Sequence, residues 1–86
     1  MPEIARFLGI VISMYVEDHA PPHFHARYGE HKASFAIKKL EVLDGKMPPR
    51  ITALIIEWAM IHQKELLKEW ELVEAGEPLF KIDPLV

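Results

Sequence analysis

Three of the five histidines in this 86-residue chain lie within seven positions, in the segment HAPPHFHARY at residues 19–28. Histidine exchanges a proton close to neutral pH, and its neutral imidazole is a common ligand of metal ions. The spacing of His19, His23 and His25 therefore indicates either acid–base chemistry or a metal site. A third interpretation is structural: the three rings shape the stiff corner made by the two adjacent prolines.

The residues after the two prolines alternate as in a strand with one polar face. Because successive side chains of a strand point to opposite faces, His23, His25 and Arg27 are predicted to share one face. Phe24 and Tyr28 then take the other face, which must cover an apolar core. The polar set is therefore expected on the surface, where a ligand can reach it.

The metal hypothesis assigns His19, His23 and His25 as ligands of a divalent cation. Two histidines that lie two positions apart on a strand can hold one ion, but a stable site needs three or four ligands. Nearby side chains would supply the rest, and the candidates are Glu17, Asp18 and His31. The spacing matches no established zinc motif, so the sequence leaves the cofactor open.

The acid–base hypothesis needs no metal. If the polar faces of neighbouring strands coincide, one open face collects Tyr15, His23, His25, Arg27, Ser34 and Lys38. RNA cleavage requires a base for the 2′-hydroxyl proton, an acid for the leaving oxygen and cations for the charge that develops on the phosphoryl group. The candidate catalytic residues are therefore Tyr15, His23, His25 and Arg27.

The composition is that of a small globular protein and predicts a single domain. Half of the residues are apolar and cysteine is absent, which excludes disulfides and thiolate zinc sites. The chain shows neither a leader pattern nor a long apolar stretch, so we expect a cytoplasmic protein that does not enter a membrane. Residues 1–50 carry seven basic against six acidic side chains, whereas residues 51–86 carry three against seven. This balance gives a nucleic-acid partner only weak support.

The hydrophobic pattern predicts an α+β fold. Residues 1–47 alternate as strands do and predict a small antiparallel sheet of three to five strands. Residues 48–76 follow a helical period, with prolines at the start and a glycine at the end. Residues 77–86 are expected to form an extended tail. The sheet is predicted to pack on this one long C-terminal helix.

Turn signals divide the strand region. Gly9, Gly29 and the Asp44-Gly45 pair are predicted to end strands, because glycine readily adopts turn conformations that other residues avoid. The last pair is expected to close a strand over residues 40–43.

The helical segment carries two apolar stripes that point in different directions. One stripe is centred on Trp58 and the other on Trp70, roughly 100° further round the helix. One straight helix cannot direct both stripes at one sheet, so either the helix bends near His62-Gln63 or the second stripe meets a partner. The predicted interface residues are Leu66, Leu67 and Trp70. A second copy of the chain or a small protein is expected to cover them.

Several segments together resemble a known protein family. They are PEIARF at the start, HAPPHFHARYGEHKASF at residues 19–35, the Glu57-Trp58 and Glu69-Trp70 pairs, and KIDPL near the end. The family that they resemble is a bacterial domain of unknown function, number four-one-six-zero. The resemblance implies a short stand-alone protein that is often encoded beside another small protein, an arrangement of the toxin–antitoxin kind. It implies neither an activity nor catalytic residues.

Two functions are consistent with these residues. The first is that of an interaction component in a two-gene bacterial system, toxin–antitoxin-like or regulatory, with the His and Arg side chains on its functional surface. The alternative is a small metal-independent ribonuclease, or a metal-dependent hydrolase, that uses the face of His23 and His25. Whether the protein is an enzyme is left open at this point.

Overall fold

The structure is a computed structural model that describes residues 3–15 and 19–86, which form one antiparallel sheet and two helices. The five strands are β1 (Glu3–Phe7), β2 (Ile10–Ser13), β3 (His23–Tyr28), β4 (His31–Ala36) and β5 (Val42–Lys46). They lie side by side in chain order, so the sheet is a meander. The helices α1 (Pro49–Ile61) and α2 (Gln63–Glu74) follow the sheet. The predicted α+β class and antiparallel sheet are confirmed.

The prediction of one long helix over residues 48–76 is wrong, because the helix is broken at His62. At this residue φ is −109° and ψ is 24°, outside helical geometry. The break lets α1 bury Trp58 and α2 bury Trp70 in the same core, which resolves the two diverging stripes. An unbroken helix would be about 40 Å long, whereas the longest dimension of the protein is 33 Å. No helix in the described residues is long and apolar enough to cross a membrane.

Side-chain hydrogen bonds hold the break in place. The Nε2 of Gln63 donates to the carbonyl oxygen of Ile37 at 2.8 Å, which ties the start of α2 to the segment after β4. The Nδ1 of His62 lies 2.6 Å from Oε1 of Glu65, and its ring packs on Trp58 with centroids 5.5 Å apart. The break is therefore fixed by contacts with the sheet side of the molecule and does not depend on a glycine or a proline.

Aromatic rings join the helices to one face of the sheet. Trp58 contacts Phe7 and Phe24, with ring centroids 5.5 Å and 5.8 Å apart. Phe24 in turn stacks on its cross-strand partner Phe35 at 5.4 Å. The helices therefore cover the face that carries these phenylalanines, and the opposite face of β2 to β5 is left for other contacts.

The segment after α2 folds back across the edge of β1. The backbone N–H of Ile82 donates to the carbonyl of Ile4 at 2.8 Å, and the Ile82 side chain is buried. The backbone N–H of Phe80 donates to Oε1 of Glu69 at 2.9 Å, while Oε2 has no hydrogen-bond partner among the described residues. Glu69 is fully buried, and this burial raises the pKa of its carboxyl group.

The expected turn at Asp44-Gly45 is wrong, because both residues lie inside β5. The β4–β5 pairing shifts register there: Ser34 pairs with Asp44, whereas the next residue of β4 pairs with Val42. Gly45 has a φ of +85° and lies against the backbone of β4 so closely that a Cβ would collide with the carbonyl oxygen of Lys32. The glycine therefore permits the close approach of the two strands, and the β-bulge itself lies at Leu43, between the paired Val42 and Asp44.

Candidate functional site

The strand β3 presents His25 and Arg27 on the face of the sheet that α1 does not cover. Phe24 and Ala26 are buried in the core, so the side chains between them point the other way. Tyr28 is half-buried and packs against the core cluster. The predicted alternation along β3 is confirmed, and it places an imidazole and a guanidinium two positions apart on one surface.

The register of the sheet places His25 in a line of polar side chains, which we call the histidine row. His25 pairs with Ser13 on β2 and with Ser34 on β4, and Ser34 pairs with Asp44 on β5. Cross-strand partners of an antiparallel sheet point to the same face, with Cβ atoms about 5 Å apart. The row therefore runs across four strands as one strip of hydrogen-bonding groups.

A cleft with a volume of about 300 Å³ lies over this row. Its polar lining comprises Ser13, Tyr15, His25, Arg27, Lys32, Ser34 and Asp44. The two cations lie on adjacent strands because Arg27 and Lys32 are cross-strand partners. The cleft thus combines two positive charges, one carboxylate and several hydroxyl and ring groups.

His25 lines the cleft and is held there by its neighbours. The hydroxyl of Ser34 and Nδ1 of His25 form a hydrogen bond of 3.3 Å. The ring of Tyr15 meets the imidazole edge-on at a centroid distance of 4.6 Å, and that of His23 does so at 5.1 Å. These contacts orient the imidazole.

His23 lies at the margin of the cleft. Its Nδ1 is 2.8 Å from the carbonyl oxygen of Pro21, and its ring packs against Trp70 of α2 at 5.2 Å. The ring therefore links the proline corner, the start of β3 and α2. Of the four candidate catalytic residues, the cleft brings together Tyr15, His25 and Arg27, whereas His23 is not among the lining residues and contacts His25.

Lys38 is not part of the site, contrary to the expected polar face. It follows the end of β4, in the turn before β5. Lys32, at the other end of β4, lines the cleft in its place.

The proposed metal ligands are not assembled by the part of the chain that the structure describes. No group of three or more His, Asp or Glu side chains within residues 3–15 and 19–86 is arranged to hold a metal ion. His19 and His31 are exposed. The further candidates Glu17 and Asp18 lie outside the described residues.

The predicted interface residues do not form an exposed stripe. Leu66 and Trp70 are 0% and 5% exposed, and Leu67 is half-buried against the core. The predicted interface assumed a straight helix that leaves this stripe on the surface, and that assumption is wrong because the break at His62 turns Leu66 and Trp70 inward. The large apolar side chains that the helices expose are Met60 and Ile61, at 62% and 63%.

Some of the cations on the open face form ion pairs and others do not. Arg6 forms an ion pair with Glu3 at 2.7 Å, and this hydrogen bond and charge lower the pKa of the Glu3 carboxyl and raise that of Arg6. Arg27 and Lys32 form no ion pair with any residue that the structure describes. The cleft therefore presents two cations that form no ion pair within the described residues, while the Asp44 carboxylate lines the same cleft and the charge of Arg27 helps to lower the pKa of Glu3.

Several cleft residues were not predicted as site residues. Ser13 and Lys32 were given no role, and Asp44 was predicted to lie in a turn. The glycine that follows Asp44 was the available signal, since a glycine inside a strand often marks a bulge. The strand register that aligns Asp44 with Ser34 depends on the bulge in β5. The alternation within a single strand does not reveal this register.

Comparison with known proteins gives one match. A family model described as a domain of unknown function (DUF4160) matches residues 9–71. No curated protein and no solved structure matches the chain. The matched region contains every residue that lines the cleft.

Proposed function

This chain belongs to the DUF4160 family of domains of unknown function, and we propose that it acts as the interaction component of a two-gene bacterial system by binding an anionic group in the sheet cleft. One observation carries the proposal: Arg27 and Lys32 are cross-strand partners that line the same cleft without an ion pair to a described residue. Two neighbouring cations repel each other, and an anion between them removes that repulsion.

The chemistry of the lining favours an oxyanion. A guanidinium offers paired N–H donors that match a carboxylate or a phosphate, while an ammonium adds a point charge. The Ser34 hydroxyl lies beside them in the same cleft. Asp44 forms part of the wall and disfavours an anion that fills the whole cleft. The lining thus suits one anionic group between Arg27 and Lys32, with an uncharged part of the ligand towards Asp44.

The two-gene part of the proposal rests on the resemblance described above, since proteins of this kind are often encoded beside another small protein. An interaction component needs a surface that is open to a macromolecule. The cleft has this property because it lies on the face opposite α1, beside the exposed side chains of β5.

A phosphate titration followed by ¹H–¹⁵N NMR tests anion binding. At constant ionic strength, phosphate should shift the amides of His25, Arg27 and Ser34 in a saturable manner. Arg27→Ser should abolish the saturation. Lys68→Ser is the matched control, because Lys68 is an exposed cation on α2. Linear shifts in the wild type, or equal saturation in Arg27→Ser, would contradict the proposal.

Co-expression tests the two-gene part separately. The chain and the product of the adjacent gene should co-elute in size-exclusion chromatography as one stoichiometric complex. Arg27→Glu should release the partner, and Lys68→Glu should retain it. Independent elution of the two wild-type proteins would overturn this part.

Metal-independent RNA cleavage is the second candidate, and one observation favours it. Tyr15 and His25 are in ring contact beside Arg27, so two groups capable of proton transfer lie next to a cation. In such a mechanism His25 takes the 2′-hydroxyl proton, Tyr15 supplies a proton to the leaving oxygen and Arg27 stabilises the phosphoryl charge.

A cleavage assay on labelled RNA tests this candidate, together with growth after induced expression. His25→Ala and Arg27→Ala should each lower the rate by about a hundredfold or more and relieve any growth defect, with an unchanged circular dichroism spectrum. A wild-type protein that is harmless and inert towards RNA across neutral pH would exclude cleavage and leave the binding proposal standing.

A further inference from the structure

The strand register forms a second line of side chains next to the histidine row, and this line is cationic. Arg6 on β1 pairs with Val11 on β2, and Val11 pairs with Arg27 on β3. Arg27 pairs with Lys32 on β4, and Lys32 pairs with Lys46 on β5. We call Arg6, Arg27, Lys32 and Lys46 the cationic row. It runs across the sheet from β1 to β5, with Val11 at its position on β2, and on β2 to β5 it lies two positions along the strand from the histidine row.

We propose that the cationic row binds the phosphodiester backbone of single-stranded RNA, which lies across the strands of the sheet. The proposal rests on the anion-binding cleft proposed above and names its ligand class. It extends the site at both ends, because Arg6 and Lys46 lie outside the cleft lining.

The dimensions of the row suit a polyanion. Neighbouring strands lie about 4.8 Å apart, so the row spans about 19 Å from β1 to β5. A small anion would occupy only the pair Arg27 and Lys32, whereas a chain of phosphates can also use Lys46, and it can use Arg6 by replacing the carboxylate of Glu3 in its ion pair. Within the described residues, Lys46 forms no ion pair, as is also true of the two central cations.

The distribution of charge supports a surface of this kind despite the negative net charge of the protein. The formal charge of −3 is dominated by residues 51–86, which carry seven acidic and three basic side chains. These residues form most of the helical layer and the tail, whereas the cationic row lies on the sheet. The net charge is therefore a sum over two surfaces of different charge, and a negative sum is compatible with a basic surface on the sheet.

The rings beside the row favour RNA over an acidic protein segment. Tyr15 and His25 are half-buried and in mutual contact, on the same face as Arg27 and about 7 Å or more along the strands. A basic track with aromatic rings at its side is the usual arrangement of single-strand binders, because bases stack on the rings while cations hold the backbone. An acidic peptide would use the cations and gain little from the rings.

Fluorescence anisotropy with a labelled uridine oligonucleotide of about 10 nucleotides, within the usual site size, tests the proposal. If the four cations contact phosphates, the plot of log affinity against log salt should have a slope of about −2.8. Lys46→Ser and Arg6→Gln should each reduce the steepness by about 0.7. Lys68→Ser should leave the slope unchanged. Tyr15→Ala should weaken binding by about fivefold to a hundredfold, and Tyr15→Phe should restore it.

The outcomes separate this inference from the proposed function. If phosphate saturates the cleft but Lys46→Ser and Arg6→Gln leave the RNA slope unchanged, the inference is overturned and anion binding stands. If neither phosphate nor RNA binds, both fail. A poly-aspartate peptide that binds as tightly as the oligonucleotide, with no effect of Tyr15→Ala, would assign the row to an acidic protein and overturn RNA. All of these variants change exposed or half-exposed side chains, and each should keep the circular dichroism spectrum of the wild type.

Discussion

Replacement of Gly45 by alanine should damage both the sheet and the cleft. Gly45, which follows Asp44 in β5, lines the cleft and has a φ of +85°. An added Cβ would collide with the carbonyl oxygen of Lys32 and lie 2.8 Å from the Cα of Ala33. Both obstacles are backbone atoms of β4, so no side-chain rotation relieves the contact and β5 must move away.

Two costs add up for Gly45→Ala. The left-handed backbone conformation costs a residue with a Cβ about 1–2 kcal/mol. Moving β5 away from β4 also loosens ladder hydrogen bonds, each of which contributes about 1 kcal/mol. We therefore expect the free energy of unfolding to fall by about 2–4 kcal/mol, a large effect for one methyl group.

Gly29→Ala is the matched control. Gly29 also has a positive φ, +58°, but nothing lies within 4 Å of the position that its Cβ would take. This variant should therefore lose only the conformational cost of about 1–2 kcal/mol. Urea unfolding measures both changes, and phosphate titration should show weakened binding in Gly45→Ala alone. Equal destabilisation of the two variants, to within about 0.5 kcal/mol, would refute the close approach of β4 and β5.

Four further predictions concern the core, the surface and the metal hypothesis. Burial raises the pKa of Glu69 above its ordinary value of 4.5, so its contribution to stability is greatest below that pH and is lost as pH rises through the raised pKa. Glu69→Gln should remove this loss. Urea unfolding at several pH values measures the free energy of unfolding of both proteins, and the same pH dependence in both would contradict the prediction. Leu66→Ala should cost about 2–5 kcal/mol because Leu66 is fully buried, whereas Ile61→Ala should cost much less, and similar values would place Leu66 at the surface. A homodimer through the exposed end of α1 should show twice the mass of one chain in light scattering, and Ile61→Glu should show the mass of one chain. A wild-type protein with the mass of one chain would exclude this dimer. If the metal hypothesis holds, protein purified without an affinity tag should bind zinc, nickel or manganese. Equal binding by the His23→Ala/His25→Ala variant would exclude a metal site at these two histidines.

Local patterns predicted the parts of the fold that depend on local chemistry. The alternation from Phe24 to Arg27 predicted which side chains of β3 reach the core, and the two helical stripes predicted a bend near His62 as one of two solutions. The choice between a bend and a partner was not predictable, because Gln63 is anchored by a carbonyl of Ile37 that is distant in sequence. The physical reason is that the break is stabilised by tertiary contacts.

The candidate site was predictable only within single strands. His25 and Arg27 were predicted from β3 alone, but their alignment with Lys32 and Asp44 depends on a two-residue turn and on the bulge at Leu43. A shift of one residue in either would move a whole strand to the opposite face. Of the three metal candidates suggested by proximity in sequence, His25 lines the cleft and His23 contacts it, whereas His19 is not among the lining residues.

The most direct test of the central claim observes the guanidinium groups themselves. The chain has three arginines, Arg6, Arg27 and Arg50, so a ¹H–¹⁵N spectrum of their side-chain Nε–H groups contains three signals to follow during a phosphate titration. If the cleft binds an anion, the Arg27 signal should shift and saturate, while the signal of Arg50, at the start of α1, should stay in place. An Arg27 signal that does not move, or one that moves no more than the Arg50 signal, would contradict anion binding in the sheet cleft.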